Sequence, residues 1–272
     1  FGRMQSGLTN ASAIASVDGG TGSYAGGLVG WSIFATISDV SATGSVTASG
    51  SRLGGLIGYA QSGSITNAYA TGDVTAGLVS ETPNSDMVGG LIGFANAAVT
   101  NAYATGSVSG RDFVGGLIGK SNSGNVTNTR ASGNVSATGK YAGGLIGWLN
   151  GVITVQDSRA SNLVGSSSVS GASYVGCLIG LVDSPTAKVL GSYSNYAVTG
   201  TGDWVGGLVG HLDGTIAESV TAQPTERGSL NSYATGAVDG RYDVGGLVGR
   251  LASSGAIQNA YSTGDVSGDM NV

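Results

Sequence analysis

The chain has 272 residues, a net charge of −5 and only 10% charged residues, with 51 glycines against 3 prolines. Its eleven Lys and Arg are scattered singly and form no basic stripe that could neutralise a phosphate backbone, which excludes a nucleic-acid-binding domain. The 40% hydrophobic content argues against disorder, the glycines follow no Gly-X-Y period, and no apolar run nears the roughly eighteen residues that span a bilayer.

From the N-terminus onward the chain repeats a fixed set of elements. The first is an apolar residue two positions before an Asn or Asp, or once a Gly: Leu8, Ile37, Ile65, Val99, Val126, Val155, Val189 (before Gly191) and Ile257, with Ser229 in the same place. The second reads Asn-x-Tyr-Ala-Thr-Gly-x-Val at its clearest, as in residues 67–74. Its copies begin at Asn10, Asp39, Asn67, Asn101, Asn128, Asp157, Gly191, Asn231 and Asn259. They close on Val17, Val46, Val74, Val108, Val135, Val164, Val198, Val238 and Val266. The third element is Gly-Leu-(Ile or Val)-Gly, with leucines at 28, 56, 91, 117, 145, 178, 208 and 247. A second Gly precedes it except where Cys177 stands, in a place that predicts a small buried side chain.

Short apolar segments punctuated by Gly, Asn and Asp are strand-turn-strand writing. Leucine spacings of 28, 35, 26, 28, 33, 30 and 39 are too short for a four-stranded propeller blade. No 3.6-residue stripe supports a helical solenoid. The remaining fold is all-β, a parallel β-solenoid of about 28 residues per coil and eight to nine coils, forming one repeat unit over residues 1–272.

Alternation along the second element assigns its faces. Counting from the Asn, the third position is Ala or Ser, the fifth is usually Gly and the seventh is Val, which predicts an inward face. The second position points outward and holds Ser12, Ser41, Tyr69, Tyr103, Arg130, Arg159, Tyr193, Tyr233 and Tyr261 beside a row of Thr and Ser. The Tyr/Arg members, Tyr69 through Tyr261, form the candidate binding ladder. The Asn column reads as a corner, since Asn and Asp tolerate turn geometry and their side chains can ladder. The Gly-Gly-Leu-Ile-Gly segment admits two readings: a strand covered on both faces, or a kink at the Gly pair. The residue three after each Leu ranges from Trp31 to Lys120 to His211, as expected of a partly exposed edge.

Eight periodic Gly-Leu-hydrophobic-Gly copies with linked columns resemble the GLUG motif, over about residues 23–272. Such repeats occur in large bacterial surface proteins, including haemagglutinin-like adhesins and the non-catalytic part of some immunoglobulin A-specific metallopeptidases. The resemblance implies an extracellular or cell-surface stalk, fibre or adhesin segment and no catalytic residues.

Chemistry outside the repeat is sparse. His211 is the one histidine, no H-E-x-x-H is present, and a surface role is expected for it. Asp86 and Asp112 precede consecutive leucines at the same distance and are the weak candidates for a bridging calcium, with no other cofactor expected. A polysaccharide-acting β-helix enzyme is the catalytic alternative, drawing on charges in the insertions at 75–87, 181–190 and 211–230. An ice-binding solenoid is the other alternative, from the interrupted Thr column. The leading expectation is a non-catalytic structural or adhesive segment. Its partners would be surface glycans or proteins, or copies of itself. The final residues 268–272 look like a lead-in to another Gly-Gly-Leu, so the array is expected to continue or to stack head to tail.

Overall fold

The computed structural model describes residues 1–77, 86–162, 167–218 and 231–272. Among them the regular structure is β-strand, in a 22-stranded and a 16-stranded sheet whose pairings are all parallel. Each strand pairs with its counterpart one coil away, so identical columns stack at roughly the 4.8 Å interstrand distance. This is a parallel β-solenoid, with its core running along the axis between the sheets.

The valine column forms the inner wall. Val46, Val74, Val108, Val135, Val198 and Val238 are fully buried, while Val17 and Val266 in the terminal coils are half-buried. Burial of each inner Val contributes roughly 1.5–3 kcal/mol. Two columns assigned by counting are corrected here. Val135 pairs with Val169, and Val169 with Val198, so Val169 holds the place counted to Val164. Likewise Val189 pairs with Ile216, and Ile216 with Ile257, displacing Ser229. Insertions carry Val164 and Ser229 out of step, and both lie outside the described residues.

The Asn column is a left-handed corner. Asn10, Asp39, Asn67, Asn101, Asn128, Asp157, Gly191 and Asn259 have φ between 48° and 57°. Asn and Gly accept that conformation more readily than other residues. The side chains ladder as well: Asn67 Nδ2 donates to Asp39 Oδ1 at 2.9 Å, Asn101 to Asn67 at 3.3 Å and Asn128 to Asn101 at 2.8 Å.

The Gly-Gly-Leu segment resolves as a kink between the two sheets. Leu56 N and Ile57 N both donate to Leu91 O, at 2.9 and 3.0 Å, and the next coils repeat the pattern. Successive amides of a regular strand point opposite ways, so this shared carbonyl breaks the alternation. Leu and Ile therefore both face the core: Leu56, Ile57, Leu91, Ile92, Leu117 and Ile118 are each 0% exposed. Pairing then passes over the closing Gly, matching Ile57 with Ile92 and Tyr59 with Phe94. The residue three after the leucine is thereby turned outward.

One coil departs from the pattern, and its departures bond one another. Cys177 replaces Gly, Ser194 replaces the usual Ala, and Tyr196 replaces the Gly of the second element. Cys177 Sγ donates to Tyr196 O at 2.8 Å, and Tyr196 N to Ser194 Oγ at 3.2 Å. Tyr196 is fully buried, and its hydroxyl donates to Ala131 O at 3.0 Å. Burial raises the Cys177 thiol far above its ordinary pKa, so it stays protonated and unreactive. Tyr196→Ala is expected to destabilise by about 3–5 kcal/mol through the cavity it leaves. Tyr196→Phe should cost only about 0.5–1.5 kcal/mol, because Ala131 O also accepts from Ser161 N at 3.0 Å. Chemical denaturation of the pair checks the ordering.

Candidate functional site

The second position of the Asn element is turned outward by the left-handed corner before it and the inward Ala or Ser after it. Strand register places the candidate ladder in one unbroken row: Ser41 beside Tyr69, then Tyr103, Arg130, Arg159, Tyr193, Tyr233 and Tyr261. Tyr69 and Tyr103 stack with centroids 5.0 Å apart and planes 3° off parallel. Arg130 lies over the other face of Tyr103 at 4.5 Å. Tyr193, Tyr233 and Tyr261 stack in turn at 4.7 and 5.2 Å.

This geometry decides what the row can offer. Most ring faces are covered by neighbours in the row, so ring edges and phenol hydroxyls point to solvent. Each stacked pair adds about 0.5–1.5 kcal/mol beyond area burial, so the row also stiffens the stack. Burial and the adjoining Tyr193 and Tyr261 push Tyr233 up to about 12, despite Arg159 nearby. Tyr233 therefore presents a neutral hydroxyl donor at neutral pH, and the Arg130–Arg159 pair interrupts the tyrosine row.

Asp86 and Asp112 meet at one cation, Arg111. Its Nε lies 3.0 Å from Asp112 Oδ2 and 3.7 Å from Asp86 Oδ2. Asp112 Oδ1 also accepts from Lys140 N at 2.9 Å. The guanidinium supplies the positive charge that two stacked carboxylates need. Among the described residues no cluster of three or more His, Cys, Asp or Glu could hold a metal.

His211 stands in the outward row, as its column led one to expect. It is half-buried, pairs between Leu181 and Arg250, and packs against Tyr174 and Trp204 at 5.9 and 5.5 Å. Burial, then Arg250, lowers its pKa, opposed by Asp213 and Asp183, so the ring is neutral at pH 7. The insertion at 181–190 forms no loop; it is part of the continuous strand Ile179–Leu190, with a register shift between Asp183 and Lys188. Parts of the other two insertions, 78–85 and 219–230, lie outside the described residues.

A second outward row follows the kink. Tyr24, Trp31 and Tyr59 stack at 5.3–6.0 Å, Tyr59 meets Phe94 at 5.0 Å, and Arg52 lies over Tyr24, Tyr59 and Phe94. Farther along, Phe113, Tyr141 and Trp148 stack at 4.9–5.6 Å with Lys120 3.7 Å above Trp148. Phe113, Tyr141, Tyr174 and Trp204 have φ of 48°, 67°, 57° and 62°, a conformation bulky residues rarely adopt. Their mutual stacking holds them there. The sequence signal was an aromatic four residues before Leu and another three after it, and only the kink brings the two together.

With this geometry in place, comparison with known proteins adds two findings. The GLUG motif matches residues 21–47, 49–75, 84–109 and 240–267, so the chain carries GLUG repeats. Halomucin from Haloquadratum walsbyi is 36% identical over 185 residues, covering 64% of this chain. The chain spans only 2% of that relative's length. No solved structure matches the chain.

Proposed function

We propose that this chain is a segment of an extracellular or cell-surface structural repeat protein, a stiff stalk or fibre whose Tyr/Arg ladder is its contact face. The observation that carries the reading is the uninterrupted register of that ladder from Tyr69 to Tyr261. A stack of nearly identical coils multiplies one weak outward contact along an axis, which is how an extended surface gains avidity without a deep pocket. The GLUG repeats and the relative named halomucin support a place in a secreted or surface coat.

Joint replacement of Tyr69, Tyr103, Tyr193, Tyr233 and Tyr261 with Ser tests the contact face. The fold should persist, since the valine and leucine columns are untouched, with a lower melting temperature from the lost stacking. Binding to cell surfaces, or lateral association in sedimentation, should fall by about tenfold or more. Unchanged adhesion and association with an intact far-UV spectrum would make the segment a passive spacer.

A further inference from the structure

The ladder changes character at one point, where Arg130 and Arg159 stand in place of tyrosine on adjacent coils. They line a cleft of about 230 Å³ with Asn101, Tyr103, Asn128 and Thr129. Both guanidiniums are half-buried, and neither forms an ion pair among the described residues. Asp157, two residues before Arg159, sits at the corner and accepts from Gln156 Nε2 at 3.2 Å. In a chain with 11 Lys and Arg against 16 Asp and Glu, two like charges stacked one coil apart are not the by-product of a cationic surface. Arg130 leans over Tyr103 and Arg159 stands on the next coil; two guanidiniums so placed repel, and the repulsion is relieved when an anion sits between their donors.

We propose that this cleft binds the acidic group, carboxylate or sulfate, of an extended polysaccharide lying along the ladder. The proposal deepens the contact-face reading above and rests on it. Charge complementarity selects the anion, and the forked donors of Arg suit a planar carboxylate or a sulfate edge. Periodicity selects the polymer. On either side of the Arg pair the face repeats hydroxyls and amides at the coil spacing, from Tyr103, Thr105, Asn101 and Asn128 to Tyr193 and Tyr233. A sugar chain presents its own hydroxyls at regular intervals and can register with such a row, whereas a globular protein surface without repeats has no matching period, and a second copy of this solenoid would bring the same Arg pair rather than an anion to it.

The test uses the chain with four soluble polymers: polygalacturonate, dextran sulfate, uncharged dextran and poly-glutamate. Biolayer interferometry should show binding to one or both acidic glycans, weakening with salt, and little to dextran or poly-glutamate. Preference for polygalacturonate assigns a carboxylate and preference for dextran sulfate a sulfate. The double variant Arg130→Gln/Arg159→Gln should lose about tenfold or more in affinity. The charge-matched control Arg241→Gln/Lys140→Gln should bind as wild type, with circular dichroism confirming the fold of both. Dextran bound as tightly as the acidic glycans, poly-glutamate bound as tightly as either, or an unaffected Arg130/Arg159 variant would each overturn the proposal. If the tyrosine-to-serine variant loses adhesion while the arginine variant does not, the contact face stands and the acidic-glycan site falls.

Discussion

Val108→Asp is expected to abolish ordered stacking in the middle of the solenoid, at a cost above about 4 kcal/mol. Val108 is 1% exposed and lies between Val74 and Val135, themselves at 0% and 1%. The substitution loses the burial of the valine and places a carboxyl where no partner exists, and desolvation alone costs several kcal/mol for an ionised group. The carboxyl would be driven toward its protonated form, so the damage should be greater at neutral than at acid pH. Val266→Asp in the half-buried terminal coil serves as an internal control with a much smaller expected effect. Because coils stabilise mainly their neighbours, local hydrogen exchange around residues 74–76 and 135–137 is the direct measurement. Protection there unchanged by Val108→Asp would invert the assignment of inner and outer faces.

That assignment was available from the sequence because the in/out alternation of burial persists from the Asn corner to the closing valine, even where the strand ends at the Thr-Gly-x turn and resumes in the other sheet. Within those eight residues small and apolar side chains occupy one parity, and the burial of Ala70, Ala104 and Val108 follows it. The candidate ladder lies in the same stretch, so its register was legible too. Alternation carries no information across a kink. At Gly-Gly-Leu-Ile-Gly one carbonyl accepts two successive amides and the pairing then skips a glycine, so parity is lost twice in five residues. For that reason the aromatic row of Tyr24, Trp31, Tyr59 and Phe94 could not be assembled from spacing, although each residue stood in a recognisable column. Insertions defeat counting in another way, as Val169 and Ile216 show. The residue at the counted offset is not the one that pairs when the coil carries extra residues.

The two outward rows differ in what they add to a stack of coils. A stack of coils joined only to its neighbours resists bending through its ladders of hydrogen bonds and its packed core. Rings stacked along the axis add contacts that tilting of one coil against the next would break. The second row, with most of its rings covered by other rings, Arg52 or Lys120, is the more self-contained of the two. The first row includes the Arg130–Arg159 break, the one place where neighbouring members repel rather than stack. Stiffness and a contact site are therefore compatible on the same column.

The kink itself supplies the other large expected effect. Gly116→Ala should destabilise by more than about 3 kcal/mol, although Ala is ordinarily the mildest replacement for glycine. The reason is proximity rather than backbone conformation. A Cβ on Gly116 would stand 2.1 Å from Gly144 O and 2.9 Å from the Cβ of Ala131. The first is backbone of the next coil, in the ladder where Gly116 N donates to Gly143 O at 3.1 Å. It can give way only if the coils separate. Cys177 shows what the chain needs to tolerate a side chain in this column. There the hydrogen bond from Cys177 N to Gly206 O is 3.4 Å, against 3.1–3.3 Å at the glycines from Gly55 to Gly144, and Ser194 and Tyr196 replace their usual neighbours. Gly116→Ala brings none of those changes, and Ala131 already fills the space. Denaturant unfolding should show the loss directly, and Gly116→Ala combined with Ala131→Gly should recover only a part of it, because the carbonyl contact remains. A melting temperature for Gly116→Ala equal to that of the wild type would mean the coils are not packed as tightly as this geometry requires.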